Sequence, residues 1–439
     1  MARLALMSSQ RLTTLVLGGL ALLLVVSIIL FPDQAFKSSL QGLNLWWKLV
    51  FPALLPFLIV TEIARGLGVL HALGSLFDPL LRTLFRLPGI SGWAIALGFT
   101  AGAPSGAVAV SKMRRDRLIS REEAERLLSI SHVLSPVFLV TIVGVGFLNN
   151  AQTGFVLAVI HYGTALLLGI WHRLSQPRVP AQPDVVVNRR AAESLFNGQG
   201  LVSRSLTAWK HAQAEDGRSF GKLLGDSVVH AVQQLMAVGG LMMMFSVLIH
   251  VVTLTQVLSF AGHLVSAFGI SSSADVQNVL SALLPGLFEM HLGAFTLGQS
   301  DAISGSWQYA LLSALFAWGG LSTHAQVKSF TFSTDIRYSS FLRARLIHAA
   351  LSFAAAGTLW QPLSRLVFEA SPTLQHMTIL AEPDASASVS AKAWSLDGFN
   401  LWPMISPAML WFSGILLVML VLSLFTSLAL RSPDGNAKS

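Results

Sequence analysis

The chain alternates long uncharged hydrophobic runs with short polar or basic segments. Residues 13–31 carry no charge, 46 uncharged residues separate Arg126 from Arg173, and 48 separate Asp226 from Asp275. An α-helix rises about 1.5 Å per residue, so roughly 20 apolar residues cross the ~30 Å hydrocarbon core of a bilayer. The pattern therefore predicts an all-α, polytopic transmembrane bundle with about eight spans. They are residues 13–31, 46–62, two helices within 127–172, one helix from about 227, and residues 307–327, 346–360 and 402–430.

Two apolar stretches are interrupted by glycine, proline and polar side chains. The first contains Gly-Ala-Pro-Ser-Gly at 102–106, and the second contains Pro-Gly-Leu-Phe-Glu-Met-His-Leu-Gly at 285–293. A break in a membrane helix frees backbone groups that lipid cannot hydrogen-bond, so such breaks lie within protein or beside water. We therefore predict two re-entrant hairpins, over residues 93–110 and 276–300.

An equal spacing relates the two hairpins. Ser135 follows Gly106 by 29 residues, and Ser322 follows Gly293 by 29 residues, each within a second polar interruption. This spacing predicts an internal repeat. Many secondary transporters consist of two such repeats with opposite orientations in the membrane.

The basic residues predict the orientation of the chain. All but four of the 29 Lys and Arg residues fall in segments that the predicted spans place on one side, which the positive-inside rule identifies as the cytoplasm. On this basis both termini are cytoplasmic. The first hairpin enters from the cytoplasm and the second from the opposite face, so we predict that the two repeats are inverted. The four exceptions are Lys37, Lys48, Arg365 and Lys392.

The predicted spans divide the chain into six segments. The segment between the repeats contains three prolines near its start and is mainly polar, which is typical of a solvated tether. Ser120 and Glu123 have the spacing of a capping box that opens a helix. The segments are an N-terminal anchor with a short external loop (1–41), the first repeat (42–171), a cytoplasmic basic linker (172–222), the second repeat (223–360), an external loop (361–401) and a C-terminal transmembrane helix with a short tail (402–439).

Composition narrows the class of function. Hydrophobic residues make up 53% of the chain and charged residues 11%, which no soluble domain matches. The net charge of +8 follows from the positive-inside rule, so we predict a lipid bilayer and no nucleic acid as partner. The absence of cysteine excludes disulfides, thiolate metal sites and cysteine nucleophiles. With no metal-binding, phosphate-binding or nucleophile motif in the sequence, we expect no catalytic residue, metal or cofactor.

Glu289 and His291 are the clearest candidates for chemistry. A charge at the centre of a bilayer costs at least about 2.5 to 3.5 kcal/mol, and intramembrane charges usually serve a function. One hypothesis is a proton- or cation-coupled solute site in which His291 tunes the protonation of Glu289. The other is a structural Glu289 that binds the backbone N–H groups freed by the break. Polar or flexible positions predicted to line the same site are Gly102, Pro104, Ser105, Gly106, His132, Ser135, Ser322, Thr323, His324 and Gln326.

Several short motifs resemble a known family. Leu54-Leu55-Pro56-Phe57, Gly102 to Ala107, Ser135-Pro136-Val137-Phe138 and Gly319 to Gln326 are similar to the YlbJ type of sporulation integral membrane protein, which belongs to the nucleoside recognition, or Gate, superfamily. The resemblance covers roughly residues 40–365. It implies a protein of the cytoplasmic membrane of endospore-forming bacteria with a gate-like core, and it brings no catalytic residues. Relatives carry asparagine where this chain has His132.

Two hypotheses of function follow. The first is a transporter-like or gate-like protein that moves a small polar solute, with a coupling ion, during spore formation. The alternative is a membrane component without transport activity that supports spore cortex or coat assembly through other sporulation membrane proteins. A cavity at the membrane midplane lined by both hairpins would favour transport, and a closed bundle with Glu289 paired and no polar cavity would favour assembly.

Overall fold

The computed structural model describes residues 24–175, 182–194, 198–269 and 272–370, together with positions 18, 19, 21, 22 and 421. Within this part of the chain the secondary structure consists of helices and turns, without strands. The fold is an all-α membrane bundle. Three of the described helices are long and apolar enough to cross a membrane, or four if a pair bent by 106° is counted as one span. The three are Pro32–Gly66, Ala151–Ser175 and Phe220–Leu254.

The first half begins with a 35-residue helix and ends with a 25-residue helix. Between them lie shorter helices separated by breaks at residues 102–104 and 132–135. Ser120 caps its helix through the expected capping box with Glu123. The helices are α1 (Pro32–Gly66, with a π-helical turn at Trp46–Val50), α2 (Val69–Leu76), α3 (Asp78–Phe85), α4 (Gly89–Ala101), α5 (Ser105–Arg115), α6 (Arg121–Ser131), α7 (Phe138–Phe147) and α8 (Ala151–Ser175).

The second half repeats this order after two connecting helices. Phe220 begins 188 residues after Pro32, and Tyr338 begins 187 residues after Ala151, so the long helices of the two halves correspond. The helices are α9 (Pro183–Ser194), α10 (Leu201–Asp216), α11 (Phe220–Leu254), α12 (Val257–Ala267), α13 (Ser273–Phe288), α14 (Met290–Gly298), α15 (Ser306–Trp318), α16 (Gly320–Thr331) and α17 (Tyr338–Ala370).

The corresponding long helices α1 and α11 pack against each other in opposite directions. The Ser246 hydroxyl donates to the Ser38 carbonyl, and the Trp46 indole donates to the Leu235 carbonyl at 2.9 Å. Partner numbers fall on α11 as they rise on α1, so the helices are antiparallel. Two equivalent elements that run antiparallel belong to inverted repeats, as the charge distribution predicts.

The structure corrects several predicted boundaries. The external loop expected before residue 42 is helical from Pro32, and α17 continues through residues 361–370 of the segment predicted as a loop. The predicted span 307–327 is interrupted at Gly319, which has a φ of +85°. Most of the predicted span 13–31, the rest of the loop and the predicted helix 402–430 lie outside the described residues.

The segment predicted to be a solvated tether is largely folded against the bundle. Helix α10 packs on α2, where the Trp209 indole donates to the Leu67 carbonyl and the Ser205 hydroxyl to the Ala72 carbonyl. Arg204 forms an ion pair with the buried Asp78. The mixed polar composition of the linker did not predict these contacts, because few apolar positions of α10 are buried.

Candidate functional site

The first hairpin consists of α4 and α5, and its tip packs against the break at 132–135. Gly102 has a φ of +76° and stands so close that a Cβ atom there would lie 2.6 Å from the Ser135 nitrogen. The Ala103 N–H donates to the Val133 carbonyl at 2.7 Å. A glycine is therefore needed at 102 for both its conformation and its contact.

The second hairpin consists of α13 and α14, and its tip carries a buried carboxylate. Glu289 is in an extended conformation and caps α14, accepting a hydrogen bond from the Leu292 N–H at 2.9 Å. The other carboxylate oxygen lies 2.7 Å from Nδ1 of His291. Both side chains are at most 5% exposed. A negative charge at this helix N-terminus is favoured by the unpaired N–H groups and the helix dipole.

A cavity of about 50 Å³ lies between the two hairpin tips and the two long helices. Ligand pockets usually measure about 300 to 1,000 Å³, whereas 50 Å³ holds a few water molecules. The conformation seen is therefore closed to any larger solute. The lining comprises Leu54, Leu58, Ala101, Ala103, Pro104, Leu134, Ser135, Phe138, Gln234, Leu235, Val238, Leu241, Glu289, Met290, His291, Thr323 and Gln326.

Side chains from other helices bind the backbone groups that the break at 132–135 leaves free. The Leu134 N–H donates to Nε2 of His161 at 3.2 Å, and the Tyr162 hydroxyl donates to the Leu134 carbonyl at 2.7 Å. The buried Arg345 guanidinium donates to the carbonyls of His132 and Ser129. Helices α8 and α17 thus hold the non-helical backbone beside the cavity, as a lipid environment requires.

Comparison with known proteins agrees with this architecture. Residues 47–160 match the Gate family model, described as nucleoside recognition. The chain is 34% identical over 406 residues to the "Sporulation integral membrane protein YlbJ" of Bacillus subtilis (strain 168). The match covers 92% of this chain and 94% of the relative. The chain belongs to the YlbJ family. The YlbJ resemblance expected from short motifs is confirmed, and the Gate match contains the first hairpin and the break after it.

In this YlbJ-family chain, half of the twelve predicted site residues line the cavity. They come from both hairpin tips, from the break at 132–135 and from α16, which follows the interruption at Gly319. Residues of both repeats therefore meet at one place. The six are Pro104, Ser135, Glu289, His291, Thr323 and Gln326.

The other six predicted residues lie outside the cavity wall. Gly106 packs against the Ser131 carbonyl, and His132 is buried with its ring edge-on to Phe341. His324 bonds the Tyr338 hydroxyl and the Trp318 carbonyl. Gly102 packs on Ser135, and the remaining two, Ser105 and Ser322, are also absent from the cavity wall.

Sequence reasoning missed part of the YlbJ-family site. Gln234 lines the cavity from α11, and it is one of two adjacent glutamines in an otherwise apolar part of that helix. A polar residue in such a span usually faces protein or water, so the sequence could have indicated it. The role of His161 had no comparable signal, because its partner is a backbone N–H of the break at 132–135, distant in the sequence.

Proposed function

We propose that this protein is a carrier for a small polar solute and not an enzyme. The observation that carries the proposal is the small cavity lined by both hairpin tips, whose wall contains six polar side chains among apolar ones. Inverted-repeat transporters place their binding sites near the bilayer midplane, at the interface of the repeats and at broken helices. The position of the cavity between the two hairpin tips, beside the breaks at 102–104 and Glu289, supports the proposal.

In this proposal, Glu289 and His291 form the coupling element. The pair faces the cavity and is enclosed by apolar residues, where a charge that changes partner has a large energetic effect. A proton or cation arriving with the solute would alter the bond between the carboxylate and the imidazole, which are now 2.7 Å apart. Opening of the cavity would then depend on the occupancy of this pair.

The basic segments support a cytoplasmic location for the Gly66 end of α1. Arg65, Arg218 and the folded linker lie at that end, since an added Cβ at Gly66 would approach Arg218 and Leu223. If residues 13–31 and 402–430 span the membrane as the sequence predicts, the positive-inside rule supports a cytoplasmic location for both chain termini. With the Bacillus relative named a sporulation integral membrane protein, we propose the cytoplasmic membrane of a spore-forming bacterium as the location.

Uptake by proteoliposomes tests the proposal. Nucleosides, amino acids, dipicolinate and divalent cations form the panel, each with and without a proton gradient. We expect Glu289→Gln to reduce uptake of the transported solute by on the order of tenfold or more, because the amide cannot carry the charge. Its carbonyl oxygen can still accept from the Leu292 N–H, so the variant should fold.

The matched control is Asp275→Asn. Asp275 lies on α13 of the same hairpin but is exposed and far along the helix from Glu289, so uptake should stay near that of the wild type. Undiminished uptake by folded Glu289→Gln would remove the coupling role. No uptake of any solute by folded wild type would favour the assembly hypothesis.

A further inference from the structure

A polar stripe runs along the first part of α1. Ser38, Gln41, Asn44 and Lys48 follow one another at helical spacing, while Phe36, Leu40 and Trp47 occupy a different face. The three apolar side chains are 68%, 41% and 60% exposed, as expected for contact with lipid. The helix therefore separates a lipid-facing surface from a polar one.

The antiparallel packing of α1 and α11 indicates how far the stripe lies from the membrane midplane. An axis that exchanges two inverted repeats lies in the membrane midplane. Equivalent residues are 187 apart, as for His161 and His348 on α8 and α17, whose rings lie 5.0 Å apart. At the same offset Trp46 corresponds to position 233. The Trp46 indole donates to the carbonyl of Leu235, only two residues from that position, so Trp46 lies beside the axis and the midplane passes near it.

The deeper part of the stripe is consequently within the hydrocarbon region. Gln41 is five residues from Trp46, or about 8 Å along the helix, and the hydrocarbon half-thickness is about 15 Å. Lys48 is near the midplane, so its side chain, about 6 Å long, cannot reach the membrane surface. A charge at this depth requires water or protein around it.

A groove of about 710 Å³ lies beside the stripe. Its other walls are α11, which contributes Ser246, Ile249, His250 and Thr253, and the second hairpin, which contributes Pro285, Leu292, Phe295 and Thr296. Leu292 is also the residue whose N–H binds the Glu289 carboxylate. The groove thus extends from the membrane face that holds Pro32 to the back of the hairpin that carries Glu289.

We propose that this groove is a water-filled vestibule through which the polar solute reaches the Glu289 hairpin. The hydroxyl, amide and ammonium groups of the stripe replace the hydration of a polar solute along the way. Leu292 and Pro285 separate the vestibule from the closed cavity. Displacement of the second hairpin would join the two.

Cysteine labelling tests this inference cleanly, because the natural chain contains no cysteine. Single variants Gln41→Cys, Asn44→Cys and Lys48→Cys are made in the full chain, with Leu40→Cys and Trp47→Cys as lipid-facing controls at matched depth. Sonicated membranes expose both faces to a charged methanethiosulfonate reagent. The thiolate is the reacting form and needs water, so we expect groove positions to react at least about tenfold faster than the controls.

Two results would overturn the vestibule. Equally slow labelling of groove and control positions would mean that lipid or another helix fills the groove, and equally fast labelling would put this part of α1 outside the bilayer. The purpose of the vestibule rests on the proposed function, but labelling measures access of water and not uptake. Expected labelling in a chain that transports nothing would therefore contradict the proposed function alone.

Discussion

The two hairpins interrupt their helix pairs at equivalent positions but with different residues. At the repeat offset of 187 residues, Gly102 of the first hairpin corresponds to Glu289 of the second, and Pro104 corresponds to His291. The first helix pair is broken by a glycine at a φ of +76° and a proline. The second is broken at a glutamate in extended conformation that caps the following helix.

The difference separates the requirements of the fold from those of function. Because the first hairpin breaks at the equivalent place without a charge, the fold itself does not need one. The Glu289 carboxylate accepts a hydrogen bond from a backbone N–H, but burying a carboxylate within a membrane protein costs more free energy than a neutral cap would. The comparison therefore favours the coupling hypothesis for Glu289 over the purely structural one.

The glycines shared by the hairpins offer the largest test of this separation. A Cβ at Gly106 would overlap the Ser131 carbonyl, and one at Gly293 would overlap the Gly286 backbone. Neither neighbour is a flexible side chain, so Gly106→Ala and Gly293→Ala should each destabilise the protein by about 1 to 3 kcal/mol. Thermal unfolding in detergent measures the loss.

Gly163→Ala is the matched control for these two substitutions. Gly163 lies in α8 with nothing within 4 Å of an added Cβ, so alanine should be neutral or slightly stabilising. If only one of the two hairpin variants lost stability, the hairpins would not be equivalent in their packing.

The Glu289 and His291 pair provides a second test, which concerns the chemistry that only one hairpin has. If the imidazole acts through the carboxylate, His291→Gln should reduce uptake by about tenfold, and the double variant should lose no more than Glu289→Gln alone. The residue equivalent to His291 is Pro104, which lines the cavity without a charge. Losses that simply add would mean that the two side chains contribute independently.

Much of the architecture was predictable from the sequence, because helix breaks and charge asymmetry are local or additive properties. The breaks at Gly102 and Glu289 and the inverted order were indicated by such patterns, and the YlbJ family membership was indicated by the resemblance of short motifs. The extension of α1 back to Pro32 was not, since Asp33 and Lys37 looked like loop residues. Their helix is stabilised by packing on α11, which no local pattern records.

The candidate site was only partly predictable for the same reason. Polar residues at a break could be found in the sequence, but which of them line the cavity depends on packing. Gly106 and Pro104 are two residues apart, yet one packs against Ser131 and the other lines the cavity. The partners of Leu134 come from α8, and their contact depends on the fold as a whole.

The smallest expected effect concerns the break at 132–135, whose backbone groups are held by other helices. Tyr162→Phe removes the hydroxyl that donates to the Leu134 carbonyl at 2.7 Å and should cost about 1 kcal/mol of stability. The control is Tyr309→Phe, because Tyr309 stacks on Trp360 with ring centroids 3.9 Å apart and keeps that contact as phenylalanine. Equal melting temperatures for the two variants would show that the Leu134 carbonyl finds another donor. A lower melting temperature for Tyr162→Phe alone would show that the break at 132–135 depends on α8 for its backbone hydrogen bonds, whereas the break at Glu289 is capped by its own carboxylate.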